Sequence, residues 1–135
     1  VEDDEDHAQL VIRSLSRGRV GNRIDHVSSG EDALDYLHSR GNYTESERPD
    51  VVLLDIKLPG IDGHEVLAEI RNDEKLKTLP VVILTTSDAE MDRAKAYEHN
   101  ANSYLVKPLD FETFRQLVDD LSLYWGVWNK PPPAS

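Results

Sequence analysis

Two stretches of the chain are apolar without polar alternation, Val51 to Leu54 and Val81 to Leu84. Unbroken apolar runs of this length predict strands buried on both faces, as in parallel sheets covered by helices on each side. Ser103-Tyr-Leu-Val106 is a shorter strand of the same kind, and Arg23-Ile-Asp-His-Val27 alternates weakly, as a short outer strand does. Segments of helical period lie between them. From Glu5, the residues Ala8, Val11, Ile12 and Leu15 fall on one helical face, with acids at the positive end and with Gly18 and Gly21 ending the helix. Ser28-Ser-Gly-Glu-Asp reads as a helix start, and Ala33, Leu34 and Leu37 form that helix's buried face. Val66, Leu67 and Ile70 mark a third helix that fades near Asn72-Asp73. Asp88 to Asn100 predicts a fourth, weakly amphipathic helix, with Met91, Ala94, Ala96 and Tyr97 scattered among charges. Asp110 is a suitable N-cap for a fifth, whose stripe is Phe114, Leu117, Val118 and Leu121. Gly41 to Asp50 reads as an exposed polar connector.

Strand and helix signals therefore alternate from end to end. That pattern predicts an α/β domain, a parallel sheet wrapped by helices through right-handed crossovers. No internal repeat or second domain is visible. Residues 1–126 form the domain, and 127–135, containing Pro131-Pro-Pro133, form an extended Pro-rich tail. A length of 135 residues is enough to bury one core without staples.

Charge narrows the partners. Acidic residues number 26 against 15 basic, for a net charge of −11. Such a surface repels phosphate backbones and anionic lipid, so neither nucleic acid nor membrane is an expected partner. With no cysteine, no apolar run long enough to span a bilayer and no signal-like start, the expected location is cytoplasmic.

Parallel strands bring their carboxyl ends to one edge, where open α/β sheets bind ligands. The residues just beyond the strands are Glu2 and Asp3, then Asp55, then Thr85 and Thr86, then Lys107. Clustered carboxylates repel one another unless a hard cation sits among them, and oxygen ligands without His or Cys suit Mg²⁺. A lysine and a threonine hydroxyl complete a cradle for a phosphoryl group. His7, His26, His38, His64 and His99 show no metal-ligand spacing, and no Ser/His/Asp grouping falls on adjacent strand ends.

Four motifs in order carry a resemblance: Val1-Glu-Asp-Asp4; Leu53-Leu-Asp55 with Pro59-Gly60 and Asp62-Gly63; Leu84-Thr-Thr86; and Tyr104-Leu-Val-Lys107-Pro108. Together they resemble the receiver domains of two-component response regulators, over essentially the whole chain. Ser46-Glu-Arg-Pro-Asp50, Asn102 to Pro108 and Tyr124-Trp125 are most like stand-alone receivers of the cyanobacterial phytochrome response regulator type.

The resemblance implies a flavodoxin-like, doubly wound, five-stranded parallel sheet of order 2-1-3-4-5 with helices on both faces. Asp55 would be the phosphoacceptor, taking its phosphoryl group from a sensor histidine kinase or phosphotransfer protein. Asp3, Asp55 and the Lys57 backbone carbonyl would bind Mg²⁺, with Glu2 acting through water. Lys107 and Thr85 would hold the phosphoryl group, Thr86 lies in the loop that responds, and Tyr104 would change exposure as that loop moves inward. The peptide bond before Pro108 would be cis. The face of the fourth helix, last strand and fifth helix is a candidate homodimer contact, with Tyr124 and Trp128 as anchors and Trp125 in the core. Receivers also begin with an apolar central strand, of which only Val1 stands in the sequence. The first strand is thus expected to be largely missing and the natural chain longer.

The resemblance implies a signalling switch and not an enzyme. One rival is a Mg²⁺-dependent phosphatase working through an aspartyl phosphate; such enzymes usually carry a second Asp two residues after the first, where Lys57 stands here. The other, a receiver that binds partners without phosphorylation, leaves the full set of site residues unexplained.

Overall fold

The structure is a computed structural model, and it describes residues 1–16 and 23–123. Helix α1 spans Glu5–Ser16 and α2 Gly30–Leu37, followed by a 3-10 turn at Gly41–Tyr43. Strand β1 is Val52–Leu54, α3 is Gly63–Asn72, β2 is Val81–Thr85, α4 is Glu90–Glu98, β3 is Ser103–Val106 and α5 is Phe111–Leu123. The strands are parallel in the order β1-β2-β3, with Leu54 opposite Ile83 and Ile83 opposite Tyr104. Element types thus follow the hydrophobic pattern. Gly18, Gly21, Tyr124, Trp125, Trp128 and the 127–135 tail lie outside the described residues.

Helix starts are set by side chains that accept otherwise unpaired backbone N–H groups. Asp4 Oδ1 takes the amides of Asp6 and His7 at 3.0 and 3.1 Å. Ser29 caps α2 through Asp32 N, Asp62 caps α3 through Glu65 N, and Asp110 caps α5 through Thr113 N. The expected starts at Ser28–Asp32 and Asp110 are therefore borne out.

The sheet separates two cores. Leu54, Val81, Ile83 and Tyr104 pack with Val66, Leu67 and Ile70 of α3 and with Ala33 and Leu34 of α2. On the other face Leu84 packs with Leu10 of α1 and with Phe114 and Val118 of α5. Helix α4 is held differently: Ala96 is its one buried residue, while Met91 and Tyr97 are exposed.

Among the described residues three strands are paired along their length, where five were expected. Residues 23–27, expected as an outer strand, join no ladder. Their order in space is nonetheless the expected one. Val1 N donates to Leu53 O at 2.6 Å, Asp55 N donates to Val1 O at 3.1 Å, and Glu2 N donates to Val27 O at 3.0 Å. Val1 and Glu2 thus lie between residues 23–27 and β1, and two residues cannot supply a full ladder. A groove of 490 Å³ runs alongside them, lined by Val11 and Leu15 of α1, Ile24, Val27 and Leu53.

Candidate functional site

Parallel pairing brings the carboxyl ends of the strands together, and the expected residues meet there. Asp55 follows β1 directly and is 5% exposed. Its Oδ1 accepts the Lys57 amide at 3.1 Å, an Asx-type bond that turns the chain after the strand. Gly63 makes this turn possible, since a Cβ there would lie 2.3 Å from the Asp55 carbonyl oxygen. Glu31 fixes the turn from outside, accepting the Ile61 amide at 2.7 Å.

Lys107, 4% exposed, anchors its backbone to the next strand, its N–H donating to Thr85 O at 2.7 Å. Its ammonium donates to Asp55 Oδ2 at 2.9 Å, to Glu2 Oε1, and to His7 Nδ1 at 3.0 Å. Because all three ammonium protons are donors, Nδ1 of His7 is the accepting nitrogen. His7 also sets its ring edge-on against Phe114, 5.7 Å between centroids. The fully buried Thr85 side chain lies beside Asp55, and its hydroxyl helps hold that carboxyl down.

One cation is shared by two buried carboxylates, and they divide it unequally. Burial pushes the Asp55 carboxyl up, but the Thr85 and Lys107 bonds outweigh burial and hold it below its ordinary value. Burial and the Asp55 charge push Glu2 up, and its own Lys107 bond only partly offsets them. The two carboxyls are thus pushed in opposite directions, and Glu2 carries the cost of crowding.

Asp3 adds a third carboxylate from the exposed side, and one oxygen from each of Glu2, Asp3 and Asp55 lies within 4.8 Å of the others. Three hard anionic oxygens with a single shared ammonium fit a hard divalent cation. Thr86 is exposed beside Thr85. Tyr104 is buried, and its hydroxyl donates to Ser87 O at 3.0 Å. Burial raises its phenol, against the Ser87 bond and together with the nearby Asp92 charge. The bond before Pro108 corrects an expectation: it is trans, as no peptide bond among the described residues is cis. The trans form of a proline peptide is favoured by about 0.5–1 kcal/mol, and Lys107 reaches both carboxylates from it.

Sequence reasoning missed His7, which metal-ligand spacing could not flag, although it lies one helical turn beyond the acidic pair. It looked for a Ser/His/Asp grouping at adjacent strand ends and found none, and one exists between β2, α3 and α4. Ser87 Oγ donates to Asp92 Oδ2 at 2.6 Å, and Asp92 Oδ1 lies 3.2 Å from His64 Nε2. The carboxylate is in the middle, so the imidazole does not touch the hydroxyl and cannot activate it as a hydrolase nucleophile.

Residues 1–119 match the family model of the response regulator receiver domain. The probable methanogenesis regulatory protein FilR2 of Methanothrix harundinacea is 44% identical over 134 residues, covering 98% of this chain and 84% of the relative. Response regulator Rcp1 of Synechocystis sp. is 37% identical over 125 residues, covering 93% and 85%. The crystal structure of Rcp1 in its Mn²⁺-bound form superposes with a TM-score of 0.95 at 35% identity, covering 98% of this chain and 96% of that one. The phosphorylated cyanobacterial phytochrome response regulator RcpA also gives 0.95, at 36% identity, covering 98% and 95%.

Proposed function

The chain belongs to the response regulator receiver domain family of two-component signalling, and from that membership we propose that Asp55 is its phosphoacceptor. One observation carries the reading: a buried carboxylate at the end of β1 bonded to the Lys107 ammonium, with the Thr85 side chain and two further carboxylates beside it.

The donor is a phosphohistidine on a sensor histidine kinase or phosphotransfer protein. An Asp55 oxygen attacks phosphorus, the O–P bond forms as the N–P bond breaks, and the electron pair leaves on the imidazole nitrogen. Glu2, Asp3, Asp55 and the Lys57 carbonyl would hold Mg²⁺, which supplies neutralisation of the phosphoryl charge. Lys107 then pairs with the phosphoryl oxygens and Thr85 donates its hydroxyl to them. The loop carrying Thr86 follows Thr85, and Tyr104 reports its position.

No helix among the described residues is long and apolar enough to cross a membrane, and the reading places the protein in the cytoplasm. The exposed Met91 and Tyr97 of α4, with Leu109 and Phe111 at the start of α5, mark the face on which a second copy would dock.

The test is labelling by acetyl phosphate with Mg²⁺. Asp55→Asn abolishes hydroxylamine-sensitive label, because an amide does not attack phosphorus, and chelation of Mg²⁺ does the same to the parent protein. Persisting label of the same lability points to another acceptor, Asp3 first. Sedimentation of the labelled protein checks the pairing face, which predicts a dimer absent from Asp55→Asn.

A further inference from the structure

Ser87 stands at a junction. It lies two residues after Thr85 and is buried, and its amide donates to Thr85 Oγ1 at 3.3 Å. Its carbonyl accepts from Tyr104, and its hydroxyl donates to Asp92 in the first turn of α4. The second Asp92 oxygen meets His64 Nε2, and these two bonds hold the Asp92 carboxyl below its ordinary value.

His64 is 4% exposed, and its Nδ1 has no hydrogen-bond partner. It is the second residue of α3, whose start is fixed to the acceptor turn: Gly63 N donates to Ile56 O at 2.8 Å, and Gly63 has no room for a Cβ beside Asp55 O. The bonds therefore run from the turn after Asp55 through the start of α3 to His64, Asp92, Ser87 and Thr85, whose side chain lies beside Asp55 and completes the ring.

Helix α4 makes this ring consequential. With Ala96 alone buried, its placement depends little on apolar packing. A helix so held is moved by whatever moves its polar tethers.

Resting on the reading of Asp55 as phosphoacceptor, we infer that His64 is a positioning residue: the fixed end of a tether, His64–Asp92–Ser87, through which phosphoryl occupancy at Asp55 and the placement of α4 control each other. Coupling of this kind is reciprocal, so loosening α4 must weaken the site's hold on a phosphoryl group.

The experiment uses beryllium fluoride with Mg²⁺ as the phosphoryl mimic, its binding followed by fluorine NMR and α4 by amide hydrogen exchange. His64→Phe fills the buried site without the hydrogen bond. It should raise the beryllium fluoride midpoint about fivefold, at the low end of usual coupling, and speed exchange across 90–98 in the free protein. Asp92→Ala, made on the α4 side, should shift the midpoint equally, and the double variant should add nothing further. His64→Gln, which keeps a donor, should restore the midpoint. An unchanged midpoint in His64→Phe and Asp92→Ala, with the parent binding normally, overturns the tether. So does a His64→Gln protein that stays as weak as His64→Phe, because packing is then the cause. A parent protein that does not bind the mimic overturns the phosphoacceptor reading and the tether with it.

Discussion

The two ends of the sheet each centre on one cation, half-buried Arg71 at one and buried Lys107 at the other, and they use it in opposite ways. At the amino ends of β2 and β3, Arg71 donates to the carbonyls of Asn100, Lys77 and Leu79 at 3.0, 3.2 and 2.6 Å, and to Asn102 Oδ1 at 3.0 Å. The same Asn102 oxygen takes the Val81 amide at 2.8 Å. Every partner is neutral and belongs to the backbone or to an amide fixed by it, so the planar fork has one arrangement. At the carboxyl ends, Lys107 sits between carboxylates that outnumber it. An ammonium on a flexible stem can trade one anionic oxygen for another, and the excess negative charge draws a cation. One end fixes the fold, and the other keeps a charge imbalance for a ligand to resolve.

Breaking the fixed end should have the larger effect on stability. Arg71→Ala removes several charge-assisted bonds and leaves the Leu79 carbonyl unpaired, a loss of about 3 kcal/mol. Urea unfolding should show a lower midpoint that Mg²⁺ does not change beyond its effect on the parent. Arg71→Lys should recover only part, since a point charge cannot serve diverging carbonyls. If Mg²⁺ restores Arg71→Ala, the two ends are not independent.

Breaking the other end should cost less and respond to metal. Lys107→Met strands two carboxylates, but Asp3 opens the cluster to water, and Glu2, already pushed up, is the readier of the two to be protonated. The loss should stay below the roughly 3–5 kcal/mol of a closed buried pair, and Mg²⁺ should shrink it. Phosphorylation should persist in this variant while the conformational response to it disappears. A normal hydrogen-exchange response of α4 to phosphorylation would sink the role given to Lys107.

How much of this was legible in the sequence follows from what carried each feature. Val81 to Leu84 has the unbroken apolar pattern of a buried strand, and the alternation of such strands with helical stripes puts Asp55, Thr85 and Lys107 on one edge from the sequence alone. Those positions depend on topology, which periodicity reports. Residues 23–27 were harder, because a strand exists only with a partner, and Val1 and Glu2 offer one bond to Val27. His7 and the His64–Asp92 contact were illegible for a related reason. Each depends on how two elements face one another, across 100 residues for His7 and Lys107 and across 28 for His64 and Asp92. A single helix's pattern holds no trace of that. The weak stripe of α4 was visible, but its meaning, a helix held by polar bonds, needed the contacts.

The smallest expected effect sharpens the comparison most, because it isolates the imbalance itself. Glu2 has its folded value raised above its ordinary 4.5, and burial is the leading cause. A carboxyl so raised contributes stability that is complete below 4.5 and is lost as pH rises through the folded value. Asp55 has the opposite sign: held below 3.8, it contributes above that value and loses its contribution as pH falls through the folded one. The two windows do not overlap, so a metal-free melt should decline on an acid limb from Asp55 and on an upper limb starting near 4.5 from Glu2. General self-repulsion in a chain of net charge −11 also grows with pH, but salt screens exposed charges far more than buried ones. In added salt, Glu2→Gln should flatten the upper limb and leave the acid limb in place. Mg²⁺ should flatten the parent's upper limb in the same way, by taking the place of the proton. Thermal unfolding from about pH 2 to 8 covers both windows, and an upper limb that survives Glu2→Gln unchanged in high salt would remove Glu2 as the residue that bears the crowding.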